Sequence, residues 1–599
     1  MNKSGVGEST PNRSLDSTSF LLHLRRFVLD ERDAQRLQIE GEWAKPLAER
    51  VGDGLAIEGV RFLDLQPDGY LELACDRNQS RFREGDTLCL SRGSPFFQPN
   101  VNVTLEVDDE TRLTVSLVDP EGLDLNWLHA ERSGWVLDQG YLDLSHYVLD
   151  ALDEVGDTIV GVKRILPLLM GIAGPQIDHA RYERMAEHAG TLGLNYDQGE
   201  AFAQAYATDL TWLIQGPPGT GKTRVLAHLA EQLVNDGERV LITAFTHRAI
   251  NQALNTLGKV APDVPAAKIG LSHRADDLRN VENYPYFNLS PMAEMNKGYV
   301  IGATPFATRT RRLSGVKFET VIFDEASQIT LPLAVMGMLA GKGERYIFFG
   351  DQKQLPPVLT RRYSGGAFRE SVFEVLADQG FETLLTETYR LNQTLAEWPS
   401  ATFYAGKLRP ASDQVAQRRL ELETPARFAE VLDPAHSKVF LDLQHRNSTT
   451  RNHKEASVVV DLVMTLLESG LPPWEVGVVV PYRAQSREIR ALLRTALPDP
   501  ETRQHIIVDT VERMQGQERE AVIVSLTTSN PTFAAHLAEF FFQPERFNVA
   551  VTRPRSKLII VGSRYVLNAQ PDDPNQQVAV ALFRDLIDSC SYRTLDYLA

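Results

Sequence analysis

Cysteine is scarce. Cys75, Cys89 and Cys590 are scattered through 599 residues with no Cys-x-x-Cys pair. That excludes a zinc ribbon, a four-cysteine iron–sulfur cluster and a disulfide framework, and the expected compartment is reducing and cytoplasmic. Long hydrophobic runs are missing as well. The most apolar piece, ILPLLMGIAG at 165–174, is too short to span a bilayer. The polar start, MNKSGVGESTPNRSLDSTS, has no apolar signal core, so no membrane partner is expected. A positive surplus is absent too: 62 Lys and Arg face 79 Asp and Glu, a net charge of -17. A chain of that balance does not coat duplex nucleic acid by bulk attraction, although a local groove can still meet phosphates. There is no low-complexity tract and no internal repeat.

What is present is an ordinary globular composition, 43% hydrophobic and 24% charged, in a chain too long for one core. Residues 1–18 read as a disordered leader and 19–53 as a long stalk helix of mixed surface charge. VRFLDLQ, YLELACD, DTLCLSR and RLTVSLVD are short alternating runs split by turn residues, which predicts a small antiparallel β-barrel over 54–119. The pattern over 120–193 is helical again, a connector. Beyond it the texture is α/β. TWLIQ, RVLITAF, TVIFDEA, RYIFFGD, VGVVVPY, AVIVSL and KLIIVG are continuous apolar strands alternating with helices, as in parallel sheets covered on both faces. Two α/β lobes in series are expected, 194–380 and 381–599.

The first lobe carries Gly216-Pro217-Pro218-Gly219-Thr220-Gly221-Lys222-Thr223, a full G-x-x-x-x-G-K-[ST] match between a strand and a helix. Backbone N–H groups at a helix start cradle phosphates. Lys222 would reach the β- and γ-phosphates of ATP, and Thr223 would bind Mg²⁺. FDEASQ then ends a strand with Asp324, placed to hold Mg²⁺, and Glu325, placed to polarise the attacking water. In GDQKQLPP, Gln354 is an uncharged donor suited to sensing a γ-phosphate.

LNYDQGEA, QGPPGTGKT, VIGATPFAT, FDEASQ, GDQKQLPP, TETYRLN, VVVPYRAQ, VDTVERMQGQE and FNVAVTRPR occur in this order. The series resembles superfamily 1 helicases, most of all the up-frameshift-like branch that includes the nonsense-mediated-decay helicase and the immunoglobulin-μ-binding-protein helicase, in a bacterial-type form. The resemblance implies two tandem RecA-like P-loop lobes, with the stalk and barrel ahead of them. By the same resemblance Gln198 would read the adenine edge and Tyr389 would stack near the base. Arg390 and Arg553 would be arginine fingers, while Gln515, Gly516 and Glu518 would couple the nucleotide to the strand. Thr246, Thr304 and Thr510 match positions that touch a nucleic-acid backbone. Leu391-Asn392 and Pro554 depart from the pattern. The segment between Asn255 and Gly298 is too short for the helical insertion of relatives, and the cysteine-rich and nuclease modules are absent from this sequence.

The expected function is an ATP-dependent helicase or translocase on single-stranded DNA or RNA, moving 5′ to 3′, with a monomeric motor as the simplest form. The alternative is an ATP-driven conformational switch or complex subunit that binds nucleic acid without unwinding it. Arg309, Arg311 and Arg312 are either strand contacts or a solvated loop. In AVTRPRSK, Arg553 is expected to act in chemistry, with Arg555 and Lys557 in support.

Overall fold

The computed structural model describes residues 16–595 except 67, 68, 77, 79, 83, 110, 119–124, 276, 362–369, 378, 424 and 426, and the side chain of 273. Most of the expected leader lies outside the described residues. The chain divides into two compact units, one of Ser14–Thr158 with Val358–Arg369, the other chiefly of Ile159–Pro357 and Glu370–Ala599.

In the first unit a helix runs from Ser17–Trp43, capped by the Asp16 carboxylate on the Ser19 N–H. A second, Leu47–Gly52, follows Pro46. The expected single helix over 19–53 is therefore two, because proline cannot continue the hydrogen-bond ladder. Strands β1 (Ala56–Leu65), β2 (Tyr70–Ala74), β3 (Thr87–Ser91), β4 (Asn100–Asp108), β5 (Arg112–Leu117) and β6 (Trp135–Gln139) form a closed barrel in the order β1-β2-β5-β4-β3-β6. All its pairings are antiparallel. The barrel thus extends past the expected boundary at 119, and the 120–193 stretch is not wholly helical. WVLDQ hid its strand character because four of its five residues face no solvent, so it does not alternate. One of them is Asp138, which bonds to the equally buried Arg50. The helix Ser145–Asp157 packs against Ser17–Trp43.

The second unit holds two parallel sheets. The first comprises β7 (Thr211–Gln215), β8 (Arg239–Ala244), β9 (Ala266–Ile269), β10 (Glu282–Tyr284), β11 (Tyr299–Gly302), β12 (Phe318–Asp324), β13 (Gly341–Gly350) and β14 (Glu382–Leu384), ordered β10-β9-β11-β8-β12-β13-β7-β14. Because β14 pairs with β7, the first lobe reaches beyond the expected 380, and 358–361 group with the other unit. A short parallel pair, β15 (Glu387–Thr388) with β16 (Arg409–Pro410), leads onward.

The second sheet comprises β17 (Lys438–Asp442), β18 (Val476–Val480), β19 (Ile507–Thr510), β20 (Arg519–Ser525), β21 (Pro554–Gly562) and β22 (Ser591–Thr594), ordered β19-β18-β20-β21-β17-β22. Alternate residues of its strands enter two cores. Phe440, Val522, Val524, Leu558 and Ile560 line one face; Val439, Leu441, Ala521, Ile523, Ile559 and Val561 line the other. Burial on both faces explains the unbroken apolar runs. The chain is α/β, with two tandem RecA-like lobes and a closed barrel.

Candidate nucleotide site

In the first sheet β7, β13 and β12 are neighbours and parallel, so their carboxyl ends bring three loops together. The loop after β7 enters the helix Lys222–Asn235 through Gly221, whose φ is 83°. Its glycines are set by contact. A Cβ on Gly216 would lie 2.0 Å from the Lys222 Cγ, and one on Gly221 would lie 2.5 Å from the Gln198 Nε2. Lys222 folds back so that its ammonium donates to the Gly216 carbonyl.

At the end of β12, burial and the adjacent Glu325 carboxylate push the Asp324 carboxyl well above its ordinary range, against the pull of Lys222. Glu325 has a φ of 50°, a left-handed conformation rare outside glycine. Mg²⁺ fits this donor set. A hydroxyl on Thr223 and a buried carboxyl crowded by another are what a hard divalent ion satisfies. After β13, Gln354 donates to Asp351 at 2.7 Å.

The second lobe supplies the opposite wall. Arg390 Nε donates to Glu518 at 2.7 Å and its Nη1 to the Thr552 carbonyl at 3.1 Å. Burial raises the Glu518 carboxyl, but Arg390 and Arg555 outweigh it and hold that group below its usual range. Arg553 is 1% exposed. Its guanidinium donates to the carbonyls of Val549 at 2.8 Å and Gln517 at 3.2 Å. Burial, with Arg390 nearby, lowers its pKa to about 9. Gln515 Nε2 reaches Glu325 across the lobes at 3.2 Å. A cavity of about 210 Å³ is lined by Pro217 to Thr223, Glu325, Gln354, Arg390, Gly516, Glu518 and Arg553. The residues expected to bind phosphate and those expected to cross from the second lobe meet around one space.

Other expected residues stand differently. Gln198 is buried: it donates to the Thr220 carbonyl at 2.9 Å and accepts from the Asn195 N–H at 3.2 Å, and so braces the loop. Tyr389 is half exposed, and its N–H donates to the Gly219 carbonyl at 2.8 Å. Thr246 is exposed and caps the helix His247–Val260; Thr304 is half-buried. Thr510 is buried at the end of β19. Arg555 is held by Glu475 at 2.6 Å and Glu520 at 3.0 Å. Lys557 is enclosed, donating to the Asp433 and His436 carbonyls at 2.8 and 2.5 Å. Both are structural. Gln252 lines the cavity and was not expected, since a glutamine mid-helix carries no sequence signal. Asp351, Tyr404 and Asn548 were missed too.

Elsewhere on the first lobe, the segments that follow β10 and β11 enclose a groove of about 440 Å³ lined by Tyr286, Leu289, Arg311 and Arg312 among others, with no carboxylate in its lining. Arg312 lies over the Tyr286 ring at 5.4 Å. Arg309 closes a short turn nearby. No helix among the described residues is long and apolar enough to cross a membrane.

Models of the AAA domain match residues 198–360 and 368–565. The DNA replication ATP-dependent helicase/nuclease DNA2 of Saccharomyces cerevisiae is 30% identical over 412 residues, covering 63% of this chain and 26% of that protein. The chain therefore spans about a quarter of that relative's length. The DNA polymerase alpha-associated DNA helicase A of Schizosaccharomyces pombe is 28% identical over 434 residues, covering 62% of this chain and 63% of that one. Among solved structures, an arterivirus nonstructural protein 10 (helicase) in complex with DNA is similar at 16% identity and a TM-score of 0.32, covering 63% of this chain and 65% of that one, too slight a likeness to bear on the fold. Two AAA domain models thus match in tandem, and the chain is similar to one protein named an ATP-dependent helicase/nuclease and another named a DNA helicase.

Proposed function

We propose that the chain is a nucleic-acid-stimulated ATPase of the up-frameshift-like branch, which translocates 5′ to 3′ on single-stranded DNA or RNA and unwinds duplexes. The observation that carries this is the cavity shared by the Walker loop, Glu325 and Gln354 on one side and Arg390, Glu518 and Arg553 on the other. Phosphoryl transfer to water needs positioning and charge stabilisation more than covalent chemistry. Lys222 and the loop amides hold the phosphates of ATP. Glu325 orients and deprotonates the attacking water, and Gln354 contacts the γ-phosphoryl group. Arg390 and Arg553 meet the charge that develops there, a contribution of about 10³–10⁵ in rate for such arginines. Thr223 and Asp324 would hold Mg²⁺, which supplies further charge neutralisation at the phosphates.

Hydrolysis in this scheme depends on lobe closure, and product loss releases it. A strand lying across both lobes would be stepped by that cycle. The groove at Tyr286, Arg311 and Arg312 suits it, since aromatic faces stack bases and cations meet phosphates. Thr246 and Thr304 are further candidates for backbone contact. The test is the ATPase rate with matched single-stranded DNA and RNA, followed by tailed duplexes of both polarities. No stimulation by either strand would overturn the reading. The acidic balance of -17 favours a second reading, an ATP-driven switch without unwinding, and unwinding of a tailed duplex by the isolated chain would exclude it.

A further inference from the structure

The loop that carries Gln354 is gripped by the second lobe at three points. Asp351, at its start, is completely buried, and its Oδ2 accepts from Gln354 Nε2 and from the Tyr404 hydroxyl, each at 2.7 Å. Tyr404 follows the second-lobe helix Gln393–Phe403. Asn548, on the helix Pro544–Val551, donates through Nδ2 to the Tyr404 oxygen at 2.8 Å and to the Lys353 carbonyl at 2.7 Å. Leu355 is buried in an apolar cluster with Leu391, Leu395 and Trp398 of the second lobe. Asp351, Lys353 and Leu355 therefore bracket Gln354, and each is held from across the interface.

We propose that Asp351, Tyr404 and Asn548 form a positioning clamp through which the second lobe sets the Gln354 side chain for hydrolysis. The proposal rests on the reading of Gln354 as the γ-phosphate contact. Its logic is one of shared acceptors. Gln354 and Tyr404 donate to the same carboxylate oxygen, while Asp351 Oδ1 takes the Lys353 N–H at 3.1 Å. Withdrawing Tyr404 leaves a buried carboxylate short of a donor and changes the hold on Gln354, since bonds in such a chain polarise one another. Asn548 also lies five residues ahead of Arg553, so one movement of that helix would bring the finger and the sensor into register together. These are positioning residues, and none of the three lines the cavity.

The test is steady-state ATPase without nucleic acid, with ATP affinity measured by a fluorescent ATP analogue, on Tyr404→Phe, Asn548→Ala and the double variant. Each single variant is expected to lower kcat about 10-fold while the dissociation constant stays within about twofold. The double variant should be no slower than the worse single one, because the two changes break one chain. Multiplicative losses, an unchanged kcat, or affinity lost in step with kcat would overturn the clamp. Tyr404→Phe removes a single oxygen; loss of its thermal transition would equally overturn the proposal by making that hydroxyl structural. Lack of stimulation by strands in the wild type would count against the helicase reading alone.

Discussion

A Cβ built on Gly219 would lie 2.4 Å from the Cβ of Arg390. The Gly216–Thr223 loop and Arg390 are thus packed backbone to side chain, with Thr388 Oγ1 donating to the Pro218 carbonyl at 2.9 Å in the same contact. Gly219 also has a φ of 74°, so a methyl group there meets both backbone strain and a neighbour. Gly219→Ala is expected to lower kcat/KM for ATP more than 10-fold through displacement of Arg390. Steady-state ATPase checks it, and Gly315→Ala serves as the control: its φ is also positive, at 83°, but no atom lies within 4 Å.

Arg553→Lys keeps a charge but loses the planar fork that bonds Val549 and Gln517. Turnover should fall about 10³-fold, with ATP affinity within about threefold, since finger contacts strengthen in the transition state. The carbonyls left without a donor should cost about 1–3 kcal/mol of stability. Single-turnover hydrolysis, nucleotide titration and denaturant unfolding read the three effects separately.

Lys557 gives a pH signature. Burial lowers its folded pKa to about 7 from an ordinary 10.5. Between these values the unfolded chain binds a proton that the folded chain does not, so folding becomes more favourable as pH rises through that window. Below about pH 7 both states are charged and the burial penalty is present in full. Lys557→Met should flatten the rise by a few kcal/mol at most. Unfolding by denaturant at pH 7 and pH 9.5 measures it, and a variant with the same rise as wild type refutes it.

Arg311→Gln should weaken single-strand binding about equally for all sequences and lower the salt slope by about 1. Tyr286→Ala should weaken it about 5- to 150-fold through lost stacking, with little effect on salt dependence. ATPase without nucleic acid should be unchanged in both. Fluorescence anisotropy of a labelled oligonucleotide across a salt series reads these outcomes.

The turn from β7 into the helix Lys222–Asn235 was legible because strand, turn and helix are contiguous in sequence. The place of Asp324 and Glu325 at the end of β12 was legible for the same reason. The clamp was not, because Tyr404 lies 53 residues and Asn548 195 residues from the loop they hold, and a lone tyrosine or asparagine carries no pattern. Strand β6 escaped notice because a fully buried strand with an aspartate in it lacks the period of two. Arg555 and Lys557 show the converse. Their identity was plain, but burial and partners, which sequence does not encode locally, decided their present roles.

The buried pairing of Arg50 with Asp138 joins a helix outside the barrel to the strand that closes it. Arg50 also donates to the Gly93 carbonyl at 2.7 Å, so its guanidinium bridges two separate parts of the barrel wall. An excised barrel that began after Gly52 would strand a carboxylate in its interior, where an uncompensated charge is strongly destabilising. A fragment that keeps this pairing therefore starts ahead of Leu47, and truncations designed on strand boundaries alone should be strongly destabilised.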